Sequence, residues 1–217
     1  FIFKVFRKRF KNNHKILTIG DSFSEQGGYQ NELTSLGFSV LHVDRFLSKN
    51  QIQTLLNLTN GDFFDNFNVE YVILQNVERH IIENIKNIKL NDKLMQNEID
   101  TLIQKKTHSE YNYGFPLFSR MTIKFPLYHL PRFYLQENYL SNGQVYNVNL
   151  NTNSLFSNNS NKLLFYFYDL ESTKINNNPK NVDSLNIVLN LIAQNLHQRN
   201  IKLIVLPSPD KYDFYYD

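Results

Sequence analysis

The chain has 217 residues, of which 41% are hydrophobic and 20% charged, with 7 Gly and 6 Pro. That is enough apolar chain for one domain with a buried core, and it excludes a disordered or collagen-like polymer. Cys is absent, which excludes a disulfide scaffold, a thiolate zinc site and a cysteine nucleophile; no run of 18 apolar residues suits a membrane-spanning helix.

The net charge of +3 conceals an asymmetry. Residues 1–15 hold six basic residues (Lys4, Arg7, Lys8, Arg9, Lys11, Lys15) and no acid. The other 17 basic and 20 acidic residues leave the body at −3, so no nucleic-acid partner is expected from charge. The basic start reads as a solvated tail or as the cytoplasmic flank of a membrane anchor. The chain opens on Phe and is expected to be a piece of something longer. Asn occurs 31 times, spread along the chain rather than gathered in a tract.

In chain order, the first element is the strand Lys15–Gly20, a short apolar run closed by Gly. A helix over 29–36 follows, with Tyr29, Leu33 and Leu36 on one face and Gly37 as its C-cap. Residues 38–43 read as a second strand. Residues 48–58 read as a helix, capped by Ser48, with Ile52, Leu55 and Leu56 inward. Val69–Leu74 reads as a third strand, and 77–88 as a helix. The same alternation returns at the end: a helical stripe over 182–196, then a buried strand Ile201–Leu206 closed by Pro207. Alternating strands and helices predict an α/β domain with a parallel sheet covered on both faces. Its core is 15–88 and 181–217.

Residues 89–180 break this pattern and read as an irregular insertion. Within it, 111–135 hold eight Phe/Tyr, three prolines (116, 126, 131), three basic residues and no acid. The prolines forbid a continuous helix there. The aromatic part is either a packed satellite cluster or a wall for a sugar or apolar group. Residues 145–178 read as short strands and Asn-rich turns, the best strand being 162–168.

Chemistry concentrates at the end of the first strand, where Gly20-Asp21-Ser22 meets the start of a helix. Ligands bind at this edge of open α/β sheets. A hydroxyl there lies near free backbone N–H groups that can hold an oxyanion. The structural alternative is a plain turn with Ser22 or Ser24 as an N-cap.

Leu17-Thr-Ile-Gly-Asp-Ser-Phe-Ser24 resembles the first block of the SGNH (GDSL-type) hydrolases. More narrowly, it resembles the SGNH-like O-acetyltransferases of cell-envelope polysaccharides, related to the alginate O-acetylation proteins. Tyr71–Arg79 is similar to the strand and Glu-Arg segment of that group, and Leu203–Tyr212 to its strand ending in Pro-x-Lys-Tyr. In the alginate proteins that strand precedes the serine block; here it follows, as in ordinary SGNH hydrolases.

The resemblance implies a three-layer flavodoxin-like fold, a single and incomplete SGNH-like domain over 1–217, and Ser22 as a nucleophile forming an acyl ester. It implies oxyanion donors at the Ser22 N–H with Gly27 or Gly28, and at Asn76, with Gln75 the neighbouring alternative. Glu78 and Arg79 either orient the site or simply pair; Glu78 equally suits an exposed helix start, favoured by the helix dipole. No metal or cofactor is expected. The implied substrate is a polysaccharide or another acylated small molecule. The implied partner is a membrane acyl-transporting protein, and the implied location is extracytoplasmic, periplasmic or membrane-anchored.

The family's Asp-x-His base does not occur in this sequence. His42-Val-Asp44 has the reverse order, and His14, His80, His108, His129 and His197 match no family motif. Two readings follow. In one, the base lies beyond residue 217 and residues 1–217 alone are nearly inactive. In the other, the protein is a catalytically silent relative that binds glycan or serves assembly. Nucleotide binding is disfavoured, since neither G-x-G-x-x-G nor G-x-x-x-x-G-K-[ST] occurs.

Overall fold

A computed structural model of the chain describes residues 14–25, 27–110, 127 and 145–210. The expectations for the basic start, for the aromatic segment apart from Leu127, and for residues 211–217 therefore lie outside the described residues. The strands are β1 (Ile16–Gly20), β2 (Val40–Asp44), β3 (Tyr71–Val77), β4 (Val145–Asn149), β5 (Lys162–Tyr166) and β6 (Lys202–Ser208). Four of them form a parallel sheet in the order β2-β1-β3-β6, and β4 pairs antiparallel with β5. The helices are α1 (Ser22–Glu25), α2 (Gly28–Ser35), α3 (Gln51–Asn60), α4 (Phe63–Asn66), α5 (Glu78–Ile85), α6 (Gln96–Glu110), α7 (Phe167–Asn176) and α8 (Pro179–His197). The chain is thus mixed α/β, as the alternation predicts.

Parallel neighbours need long crossovers, and helices supply them. β1 passes to β2 through α1 and α2, and β2 passes to β3 through α3 and α4. All five residues of β1 are buried, Thr18 included. Leu17, Ile19, Val72 and Leu74 meet Ile52, Leu55 and Leu56 of α3, and Ile192 and Leu196 of α8, in one apolar core.

Helix ends follow local rules. Phe38 N–H donates to the Leu33 carbonyl and Gly37 N–H to that of Thr34, the paired bonds of a Schellman ending. Gly37 supplies the positive φ of 88° that this ending requires. At α3 the cap is Asn50, whose side chain accepts from Gln53 N–H, and not Ser48 as the sequence suggested. Ser48 Oγ instead lies 2.9 Å from the side-chain amide of Asn57, to which it donates.

Three further expectations need correction. First, β3 runs on to Val77, so Gln75 and Asn76 lie within the strand rather than past it. Second, residues 89–180 contain two helices, α6 and α7, where irregular chain was expected. Residues 167 and 168 begin α7 rather than ending a strand. Third, β6 is not a buried strand: Ile204 is 44% and Leu206 40% exposed. Among the described residues β6 is an edge strand, as β2 is, but its face carrying Ile204 and Leu206 is open to solvent whereas Leu41 and Val43 of β2 are buried.

His14 precedes β1, buried, with Nδ1 2.9 Å from Ser39 Oγ. Burial disfavours its charged form and lowers its pKa below the ordinary 6.5. The unfolded chain therefore takes up the proton first as pH falls. His14 adds stability that is complete above pH 6.5 and is lost as pH drops through its folded value. The melting temperature is expected to fall over that window, and His14→Gln to flatten the fall in a pH series of thermal melts.

Candidate active site

The C-terminal edge of the sheet carries a buried polar framework, and Ser22 sits on its outside. The chain leaves β1 at Gly20 and turns into α1. Asp21, only 7% exposed, holds this turn. Its Oδ1 accepts from Phe23 N–H at 3.0 Å, which caps α1. Its Oδ2 accepts from Val77 N–H at 2.8 Å, which fastens the turn to the end of β3. Ser24 N–H donates to the Asp21 carbonyl. The Ser22 N–H has no partner among the described residues, and its side chain is exposed.

Ser24 is the opposite case, 1% exposed. Its hydroxyl donates to Gln75 Oε1 at 3.0 Å, and Tyr29 OH lies 2.9 Å from Ser24 Oγ. Ser24 has one proton, given to an acceptor-only carbonyl, so Tyr29 is the donor in the second bond. Burial raises the Tyr29 pKa, which keeps the phenol protonated for that role; hydrogen bonds with Ser24 and Thr18 act the other way. Gly20 is required beneath this cluster. A Cβ there would lie 2.5 Å from Gln75 Oε1 and 2.7 Å from Ser24 Cβ.

Gln75 and Asn76 are neighbours on β3, so they point to opposite faces of the sheet. Gln75 faces α1. Its Oε1 also accepts from Asp21 N–H at 3.1 Å, and its Nε2 donates to Ser208 Oγ at 2.8 Å. Asn76 faces α3 and α5, where its Oδ1 accepts from Gln51 Nε2 and, at 3.1 Å, from Asn84 Nδ2. The expectation of Asn76 as an oxyanion donor beside Ser22 therefore finds the wrong face: the amide meeting the Ser22 turn is that of Gln75. A cleft of about 560 Å³ also opens on the Asn76 side, between α5, α8 and β6. Asn76 Nδ2 is buried and has no partner among the described residues.

The glycines divide as well. Gly27 N–H donates to the Ser24 carbonyl at 3.1 Å, so it is not a free donor as the sequence reading had it. Gly28 is exposed, with open space where a side chain would stand.

Arg79 is the second residue of α5 and is bound to protein partners. Its guanidinium pairs with Asp169 of α7 and, at 2.8 Å, with Asp210 just past β6; its backbone N–H donates to Asp210 at 3.0 Å. It also lies 5.7 Å from the ring centroid of Tyr166. Both carboxylates are buried, 3% and 4% exposed for Asp169 and Asp210. Arg79 thus ties α5, α7 and the end of β6 together, with its side chain 23% exposed. The sequence reading singled out neither acid, because their partner lies 90 and 131 residues away.

The partners seen for the described histidines lie elsewhere. His14 meets Ser39, His42 meets Thr18 at 3.0 Å, and exposed His80 meets Glu83 at 3.4 Å. His197 closes α8, before β6 begins. The side chains of His108 and His129 lie outside the described residues. No group of three or more His, Cys, Asp or Glu able to hold a metal ion occurs among the described residues. Comparisons with protein-family models, curated proteins and solved structures find no match.

Removing Arg79 would leave two buried carboxylates without their shared cation. Arg79→Ala is expected to lower stability by about 3 kcal/mol, read from urea denaturation. Arg79→Lys, which keeps the charge but not the fork, is expected to recover only part of it.

Proposed function

We propose that this chain is the SGNH-like part of a serine O-acyltransferase or esterase that handles acyl groups, acetyl first among them, on a cell-envelope polysaccharide. One observation carries the reading. The Ser22 hydroxyl is exposed at the C-terminal tip of β1, on a turn that Asp21 holds against the end of β3. Its sequence block and the strand order β2-β1-β3-β6 suit a flavodoxin-like, three-layer arrangement.

In this reading Ser22 Oγ attacks the acyl carbonyl while a general base takes its proton. The tetrahedral oxyanion is held by the Ser22 N–H and by donors near Gly28. The departing alcohol takes the proton from the base, leaving an ester on Ser22. A sugar hydroxyl or water then attacks that ester and gives its own proton to the base. Ser22 regains a proton as it leaves. The first acceptor makes a transferase, the second an esterase.

The base, an Asp-x-His pair in the family that the chain resembles, has no counterpart in residues 1–217. It is proposed to come from chain outside them. An extracytoplasmic location and a membrane acyl-transporting partner belong to the same proposal.

A second reading is a catalytically silent glycan-binding or assembly protein. It is favoured by the engagement of His14, His42 and His80 with Ser39, Thr18 and Glu83. The two part on one measurement. The protein expressed from its full open reading frame, given an aryl acetate, is expected to carry an acetyl ester on Ser22 by peptide mass spectrometry. Ser22→Ala is expected to lose that ester, with turnover down about a thousandfold or more. Undiminished turnover in Ser22→Ala would sink the acyl-enzyme. Binding of an acetylated oligosaccharide with no ester in either protein would favour the silent relative.

A further inference from the structure

Resting on the reading of Ser22 as nucleophile, we infer that Gln75 is the positioning residue of its turn, and that Ser208 at the end of β6 sets how Gln75 is held. Gln75 is 1% exposed, so each end of its amide needs a partner inside the protein. The oxygen takes two donors from the turn, Asp21 N–H at 3.1 Å and Ser24 Oγ at 3.0 Å. These flank Ser22 on either side in the chain. The nitrogen donates to Ser208 Oγ at 2.8 Å, two residues along β6 from the Leu206 that lies beside Gln75.

This arrangement fixes the sense of the amide. Turned over, the NH₂ would face the two donors of the turn. Asp21 N–H, which can only donate, makes the observed sense the favoured one, and Ser208 Oγ accepts from the NH₂ that this leaves facing β6. The side chain therefore joins the tips of β1, β3 and β6 with one rigid plane. Gln75 does not serve as an oxyanion donor here, because its NH₂ is directed at Ser208. It acts through Asp21 and Ser24, fixing the two residues between which the Ser22 hydroxyl projects.

A dependence of this kind separates from general destabilisation. Ile73 lies on the same face of β3, buried, and has no part in the turn's hydrogen bonds. Ile73→Val is the control: it lowers the melting temperature without releasing residues 21–24. The test uses the protein expressed from its full open reading frame, with amide hydrogen exchange over residues 21–24 and the rate of Ser22 modification by a fluorophosphonate. Gln75→Met is expected to raise exchange at the Asp21 N–H about tenfold and to slow Ser22 modification to a similar degree. Ser208→Ala is expected to move both readouts the same way and less far.

Unchanged exchange in Gln75→Met, or an equal effect from Ile73→Val, would overturn the positioning role. If Gln75→Met does not fold, Ser208→Ala decides: unchanged exchange at 21–24 overturns the role and raised exchange supports it. The two readings fail separately. Wild-type protein that is never modified at Ser22, with exchange still raised in Gln75→Met, removes the nucleophile and keeps the coupling. Equal modification of Ser22 in wild type and Gln75→Met keeps the nucleophile and removes the positioning.

Discussion

The carboxylate of Asp21 is almost out of solvent, and the geometry of the whole sheet edge follows from how it is satisfied. A buried carboxylate is costly unless it finds donors. Asp21 finds two backbone N–H groups, one on each side of a strand gap: Phe23 in its own turn and Val77 at the end of β3. Neither donor can shift without moving main chain. The turn after β1 is therefore held at the tip of β3, and α1 begins where its first exposed amide and hydroxyl belong to residue 22. Gly20 completes the constraint, because a side chain there would displace Ser24 and Gln75.

A second buried charge cluster organises the other side of the same edge. Arg79 faces two carboxylates from distant parts of the chain, Asp169 and Asp210. Breaking such a cluster costs more than forming it gains, since a lone charge would remain in the interior. Its worth is in specifying an arrangement. α7 packs on α5 through polar contacts, with Asn176 donating to the Glu78 carbonyl at 2.8 Å and Asp169 reaching Arg79. The end of β6 is consequently held from both faces, by Gln75 through Ser208 and by Arg79 through Asp210.

These polar contacts explain what could and could not be read from the sequence. β1, β2 and β3 were legible because each is a short run of apolar residues bounded by turn formers. α8 was legible from apolar spacing; α2 was placed by it, but of its expected face Leu36 is 73% exposed and the residue that α2 buries is Gln30. α7 was not legible, because Asp169, Ser172 and Asn176 are buried on it where an apolar stripe would be sought. α3 shows the same effect in part. Ile52, Leu55 and Leu56 were read as inward, but Gln53 and Asn57 are buried too, Gln53 bonded to both the N–H and the carbonyl of Lys89. A periodicity count treats such side chains as solvent-facing. At the site, the place of Ser22 on the turn after β1 was legible because that turn follows directly from the end of the strand, while the remote bonds that hold it, from Asp21 to Val77 and to Gln75, were not. The choice between Gln75 and Asn76 was not, since it depends on where β3 ends, and a strand that stops at Leu74 leaves both in a loop. Arg79 was noticed for its neighbour Glu78, while its true partners are remote.

The competing account of Gly20-Asp21-Ser22 is a turn whose serines cap a helix. The geometry assigns that task elsewhere. Asp21 caps α1, and Ser24 has its proton on Gln75 and its oxygen facing Tyr29. A hydroxyl so enclosed, 1% exposed, has no access to a substrate carbonyl. Ser22 differs on each point: it is exposed, it does not cap the helix, and its own N–H is uncommitted among the described residues. Two serines two residues apart thus receive opposite environments from one framework. Uncommitted polar groups at a sheet's C-terminal edge are where α/β folds place chemistry. The functional reading of residue 22 therefore draws its strength from how thoroughly its neighbours are already engaged.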